Sequence, residues 1–108
     1  MGFKIAATPR ADALLENLIV YLVESLRNDQ AAAHLLSGYE KLYSRLSENP
    51  FQFPLISDEY LASTGIRYAL VPDMRYMLVF EIRQDTVVIL AYYHQTENYA
   101  DKIMEDMA

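Results

Sequence analysis

Few side chains in this sequence can carry chemistry, and the best placed of them is His94. It closes a strand-like run, Thr86-Val87-Val88-Ile89-Leu90-Ala91-Tyr92-Tyr93-His94, where the chain turns polar at Gln95-Thr96-Glu97-Asn98. An imidazole titrates near neutrality, so it can take or give a proton at physiological pH. An arginine beside it can hold a developing oxyanion. If the preceding run folds back through a tight Gln84-Asp85 turn, Arg83 faces Thr86, Tyr76 faces Tyr93 and Arg75 faces His94. Arg75 and His94 are then the expected proton-transfer and phosphate-contacting pair. Arg67, one run earlier, is a further candidate whose face depends on the length of the loop from Val71 to Met74. The other histidine, His34, falls beside Ser37, Gly38, Lys41 and Arg45 and reads as a solvated residue on the polar side of a helix.

Thiol and metal chemistry have little to draw on. The chain has no cysteine and two histidines. That excludes a disulfide framework and any thiolate ligand or nucleophile, and it leaves a zinc centre almost without ligands. No metal or cofactor is expected.

The stretch from Gly65 to Tyr99 must position these groups. Val71-Pro72-Asp73-Met74 and Arg83-Gln84-Asp85-Thr86 interrupt runs rich in Val, Ile, Leu, Tyr and Phe, the punctuation of an antiparallel meander. Upstream, Phe3 to Ala7 is an apolar run suited to an opening strand that pairs with a sheet made later. Thr8 can cap a helix that begins at Pro9, with Asp12 in its first turn. Leu15, Leu18, Ile19, Leu22, Val23 and Leu26 form its apolar stripe. Asn28 or Asp29 caps a second helix, with Ala32, Leu35, Leu36, Tyr39, Leu42, Tyr43 and Leu46 on one side. Two prolines end it between Ser47 and Pro54, and Phe51 and Phe53 are expected to tuck back onto the helix ends.

Ile56 to Thr64 reads as a loop or a short helical turn, and Glu97 to Ala108 as a final turn or two of helix. The expected fold is a two-layer α+β domain spanning residues 1–108. An antiparallel-rich sheet of about four strands carries the helical hairpin on one face. The tight turn assigns Tyr76, Leu78, Phe80, Ile82, Val87, Ile89, Ala91 and Tyr93 to the helix side. Met77, Val79, Leu90 and Tyr92 fall on the open side, more apolar than a solvated sheet requires, and are the expected docking surface for a partner.

Composition sets further bounds. A chain of 108 residues is expected to form one domain burying roughly 65% of its unfolded surface. The formal net charge of −6 confines any nucleic-acid contact to a local basic patch, because phosphate binding draws on released counterions. The longest apolar runs are far shorter than the roughly 20 residues that cross a bilayer, and the N-terminus lacks the apolar core of a signal peptide. A cytoplasmic location and no membrane partner are expected.

The whole pattern resembles the RelE/ParE superfamily of toxins from bacterial type II toxin–antitoxin modules, including proteins labelled plasmid stabilisation. The likeness rests on the opening strand, the Thr8-Pro9 helix start, the helical hairpin and the run Gly65-Ile66-Arg67-Tyr68. It continues through Tyr76-Met77-Leu78-Val79-Phe80 and the Thr86 to Leu90 strand that ends in His94. The resemblance implies a toxin neutralised by a cognate antitoxin. The activity it implies first is that of RelE-like members, metal-independent endoribonucleases that cleave mRNA on the ribosome; the alternatives are inhibition of DNA gyrase, as by ParE-like members, or a member without toxicity that serves as a protein-binding module. For RNA cleavage it implies His94 as general acid or base, Arg75 and Arg67 on the phosphate, Glu59 as a further base, and Tyr93 or Tyr99 against a nucleobase. Met77 stands where many RelE-like members carry Arg, and the Arg-rich exit of the family is here Gln95-Thr96-Glu97-Asn98.

Overall fold

The computed structural model describes residues 2–95 and 99–107. Its sheet has the order β1-β4-β3-β2, where β1 is Lys4–Ala7, β2 Arg67–Leu70, β3 Tyr76–Arg83 and β4 Thr86–His94. The last three strands form the expected antiparallel meander. β1 lies parallel to β4, from Lys4 beside Thr86 to Ala7 beside Ile89. The two-residue turn holds Arg83 opposite Thr86 as expected, with Gln84 taking a φ of +57°.

Helix α1 covers Pro9–Val20 and α2 covers Asp29–Glu48. Both starts follow from capping: Thr8 Oγ1 accepts the Ala11 N–H at 3.1 Å, and Asn28 Oδ1 accepts the Ala31 N–H at 3.0 Å. Between the helices Tyr21–Ser25 form one π turn, closed by the Leu26 N–H on the Tyr21 carbonyl at 3.1 Å. The wider turn rotates everything after it. Leu22 stays buried, but Val23 and Leu26, expected in the apolar stripe, stand 39% and 54% exposed. The hairpin otherwise packs as its stripes predict, with Ala11, Leu35, Tyr39, Leu42 and Leu46 buried against Leu78, Phe80, Val87 and Ile89. Full burial of one such side chain stabilises by about 1.5–3 kcal/mol. Gly38 lets α2 approach the β2–β3 connection closely, since a Cβ there would overlap Val71 Cγ1.

The sheet register departs from expectation at one place. Pairing is regular from Arg83 with Thr86 to Phe80 with Ile89, but Val79 then faces Ala91, leaving Leu90 as the extra residue of a β-bulge. Tyr76 therefore faces His94, and Arg75 does not. Beyond the bulge the faces reverse: Tyr92 joins the hairpin core, while Ala91 and Tyr93 join the other side. The cause lies next door. β1 ends at Ala7 beside Ile89, and the Thr8 hydroxyl donates to the Leu90 carbonyl at 3.4 Å. At that point β4 exchanges a strand neighbour for the start of a helix.

The reverse face is not open either. The segment expected as a loop or a short helical turn contains the five-residue helix α3, Glu59–Ser63, capped by Asp58, and the chain closes with α4, Tyr99–Met107. Leu61 of α3 and Ile103 of α4 are buried with Met77, Val79, Ala91 and Tyr93. Met77, Val79 and Tyr92, expected as a partner surface, are only 2%, 0% and 5% exposed, and Leu90 is half-buried. Two short amphipathic segments cover Met77 and Val79, while the hairpin covers Tyr92, and neither segment is long enough to give a strong periodic signal.

Thr8 thus serves the helix cap and the bulge with one hydroxyl. Thr8→Val, of similar shape without the hydroxyl, is expected to lower unfolding free energy by about 1–2 kcal/mol in urea denaturation, and Thr8→Ser to recover most of it. Equal stability of all three would remove the hydroxyl from the fold's essential contacts.

Candidate functional site

Past the end of β1, the edge of β4 is flanked by α1, and α4 lies on its reverse face. Between them is a cavity of about 450 Å³, within the range that holds a small ligand or a few side chains of a partner. Helix α1 contributes Arg10, Leu14 and Asn17 and the π turn Tyr21, whose spacing of four, three and four puts them on one stripe. The strands contribute Tyr76, Tyr92, Tyr93 and His94, and α4 contributes Lys102 and Glu105. His94 meets the Tyr76 ring edge-on, with centroids 5.0 Å apart and planes at 87°.

Behind the cavity wall lies a tyrosine network. The Tyr43 and Tyr92 hydroxyls share a hydrogen bond of 2.6 Å, the Tyr39 ring stands edge-on to Tyr92 at 4.8 Å, and the Tyr39 hydroxyl donates to the Met77 carbonyl at 3.4 Å. Burial pushes the Tyr39 and Tyr92 phenols well above their ordinary 10.0, and neighbouring tyrosines add to the effect. Burial also raises Tyr43, opposed by its bond to Tyr92 and reinforced by Asp12 and Glu40. These phenols keep their protons at physiological pH. They offer ring faces and neutral hydroxyls rather than phenolate nucleophiles.

The residues expected to act together are dispersed. Arg75 precedes β3 with an exposed side chain, and its carbonyl accepts the Gln95 N–H at 2.8 Å, so it lies opposite Gln95. Arg67 is engaged at the far edge of the sheet: Nη1 donates to the Phe53 carbonyl at 2.6 Å and the guanidinium stands 5.4 Å from the Phe51 ring centroid. It pairs with Phe80, whereas His94 pairs with Tyr76. That separates the two by about 13 Å along the strand direction, with two strand spacings of about 4.8 Å added across the sheet. Glu59 is exposed on α3, which covers the reverse face. Tyr93 does line the cavity, while the Tyr99 side chain lies outside the described residues. Among the described residues, no group of three or more His, Cys, Asp or Glu is placed to hold a metal ion.

Arg10, Leu14, Asn17, Tyr21, Lys102 and Glu105 are cavity residues that no motif marks. A usable signal was present on α1, where the stripe of Arg10, Leu14, Asn17 and Tyr21 borders the apolar one. For Lys102 the signal was weaker, since it depends on where a short terminal helix docks.

The phenols also set a pH response. A folded-state pKa raised above the ordinary value means stability is complete below pH 10.0 and falls as pH rises beyond it. Each such tyrosine contributes up to about 1.4 kcal/mol per pH unit. Urea denaturation is expected to show unchanged stability up to about pH 9 and a steep fall above about pH 10. Tyr39→Phe and Tyr92→Phe should each make the fall shallower, and an identical slope in all three proteins would contradict this account.

Comparison with curated protein sequences gave no match. In fold, the chain is similar to a solved structure described as the chromosomal ParDE TA system from P. aeruginosa, with a TM-score of 0.67 at 16% identity, covering 85% of this chain and 95% of that one. A family profile described as the ParE toxin of the type II toxin–antitoxin system, parDE, matches residues 5–99. That span runs from β1 through the hairpin and the meander to the first residue of α4. The chain belongs to the ParE toxin family of type II toxin–antitoxin systems.

Proposed function

We propose that this chain is a gyrase-directed toxin that disables its target by binding it and is held inactive by a cognate antitoxin. The observation that carries this reading is the dispersal of the groups an RNA-cleaving centre would need. General acid–base catalysis requires groups within about 3 Å of the reacting atoms. Here Arg67 serves the Phe51–Phe53 segment, Arg75 lies opposite Gln95, and Glu59 is on the other face from the hairpin. A net charge of −6 also disfavours a long nucleic-acid contact. Family membership supports the antitoxin partner and agrees with the ParE-type target.

A second reading, the ribosome-dependent mRNA endoribonuclease, draws on a different observation. Arg10 and Lys102 share the cavity with His94, so a phosphate there would meet two cations and an imidazole. One experiment separates the readings. Induced expression without antitoxin is expected to arrest growth, the purified protein to abolish supercoiling by gyrase, and His94→Ala to leave both effects in place. New mRNA ends that vanish in His94→Ala would transfer the assignment to the nuclease. Unimpaired growth with a stable partner complex would make the chain a protein-binding module.

A further inference from the structure

Where α2 ends, three parts of the chain meet in a basic and aromatic patch, towards the turn at Gln84 and Asp85 and away from His94. Asn49 starts the short turn Pro50–Gln52 by accepting the Phe51 N–H on Oδ1 at 3.1 Å. Arg45, in the last turn of α2, donates from Nη2 to Gln52 Oε1 at 3.1 Å, and its guanidinium stands 4.7 Å from the Phe53 ring centroid. Gln52 Nε2 donates in return to the Arg45 and Asn49 carbonyls at 3.2 and 2.9 Å. Arg67 reaches the same turn from β2, holding the Phe53 carbonyl and lying 5.4 Å from the Phe51 centroid. Phe3, ahead of β1, meets Phe51 edge-on at 6.0 Å. Two guanidiniums and two rings thus interleave on a braced segment.

We propose that this patch binds a nucleotide, with its phosphate on Arg45 and Arg67 and its base against Phe51. Among the described residues neither guanidinium forms an ion pair, in a chain of net charge −6. Each spends one N–H on the contacts above and keeps others, in a planar fork that fits phosphate oxygens. Phe51 is 57% exposed, which leaves ring surface for a base. A nucleotide presents an anion and a flat ring together, the pair of groups that single-strand binding sites hold with basic and aromatic side chains. A protein partner fits less well. A stable protein interface takes roughly 800 Å² from each side, and the large apolar side chains exposed on this segment are Phe51 and Leu55. The negative balance limits the contact to a few phosphates, which a free nucleotide and a short stretch of single strand both offer. The bracing hydrogen bonds hold these groups in place before a ligand arrives, so little ordering entropy is lost on binding. The inference stands whether the toxin's target is gyrase or mRNA, because it uses neither His94 nor its cavity.

The test titrates the full chain with short fluorescein-labelled strands of oligo-dT and oligo-U, followed by anisotropy, and with uridine monophosphate, followed by amide chemical shifts. The largest shifts are expected at Phe3, Phe51 and Gln52. Phe51→Ala should weaken strand binding by about tenfold and Phe51→Tyr should restore it. Arg45→Gln should weaken it and make its salt dependence shallower. Arg27→Gln, which removes an exposed charge at the hairpin tip, should leave it unchanged. A strand that binds far more tightly than the monophosphate marks single-stranded nucleic acid as the source of the ligand, and equal affinity marks the free nucleotide. Thermal melts confirm that each variant folds. Absence of binding, loss of binding in His94→Ala with Phe51→Ala unaffected, or displacement of the strand by poly-glutamate of equal charge would overturn the proposal.

Discussion

One hydroxyl holds the two halves of the structure in register. Thr8 Oγ1 accepts the Ala11 N–H and donates to the Leu90 carbonyl, while the Thr8 N–H donates to the Ile89 carbonyl at 3.0 Å. The start of α1 and the bulge of β4 are therefore one junction, and a shift at either would disturb the other. Everything beyond Leu90 inherits its direction from it. Tyr92 enters the hairpin core, Tyr93 turns to α4, and His94 comes to rest against Tyr76.

That junction also explains the character of the cavity. The cavity opens where β4 has lost β1 as a neighbour, and side chains of α1 stand there in place of a strand. Aromatic rings with a polar tip suit such a place, since the ring fills space and the hydroxyl finds a partner. Tyr43, Tyr92 and Tyr39 satisfy one another or the backbone. The cavity is consequently a shaped, neutral surface with charges from Arg10, Lys102 and Glu105 at its margins.

The α+β class, the Thr8 cap, both hairpin helices and the three-strand meander were legible because each rests on local signals: capping residues, helical periodicity and turn residues between apolar runs. The bulge was not, because nothing local to Ile89-Leu90-Ala91 distinguishes it. It arises from where β1 stops, a contact with the other end of the chain. That one extra residue sets Tyr76 opposite His94, where an unbroken register would set Arg75. The cover on the reverse face is hidden from the sequence for a related reason. Met77 and Val79 are as apolar as a core strand, and their cover comes from α3 and α4, elements too short to be persuasive alone. Arg67 was placed correctly on β2, but its role as a tether for Phe53 depends on a loop contact that no spacing rule reveals.

The parallel pairing of β1 with β4 also orders events in time. Thr8 and Leu90 are 82 residues apart in sequence, and β1 has no sheet neighbour until β4 has been synthesised. A chain leaves the ribosome N-terminus first, so the hairpin can form early from local contacts but has no sheet on which to rest. Closing so long a loop is slow compared with forming a helix. The nascent protein therefore passes through an interval in which nearly all of it has been made and none of its tertiary structure is complete. A partner that recognises the finished sheet has nothing to bind until β4 is in place.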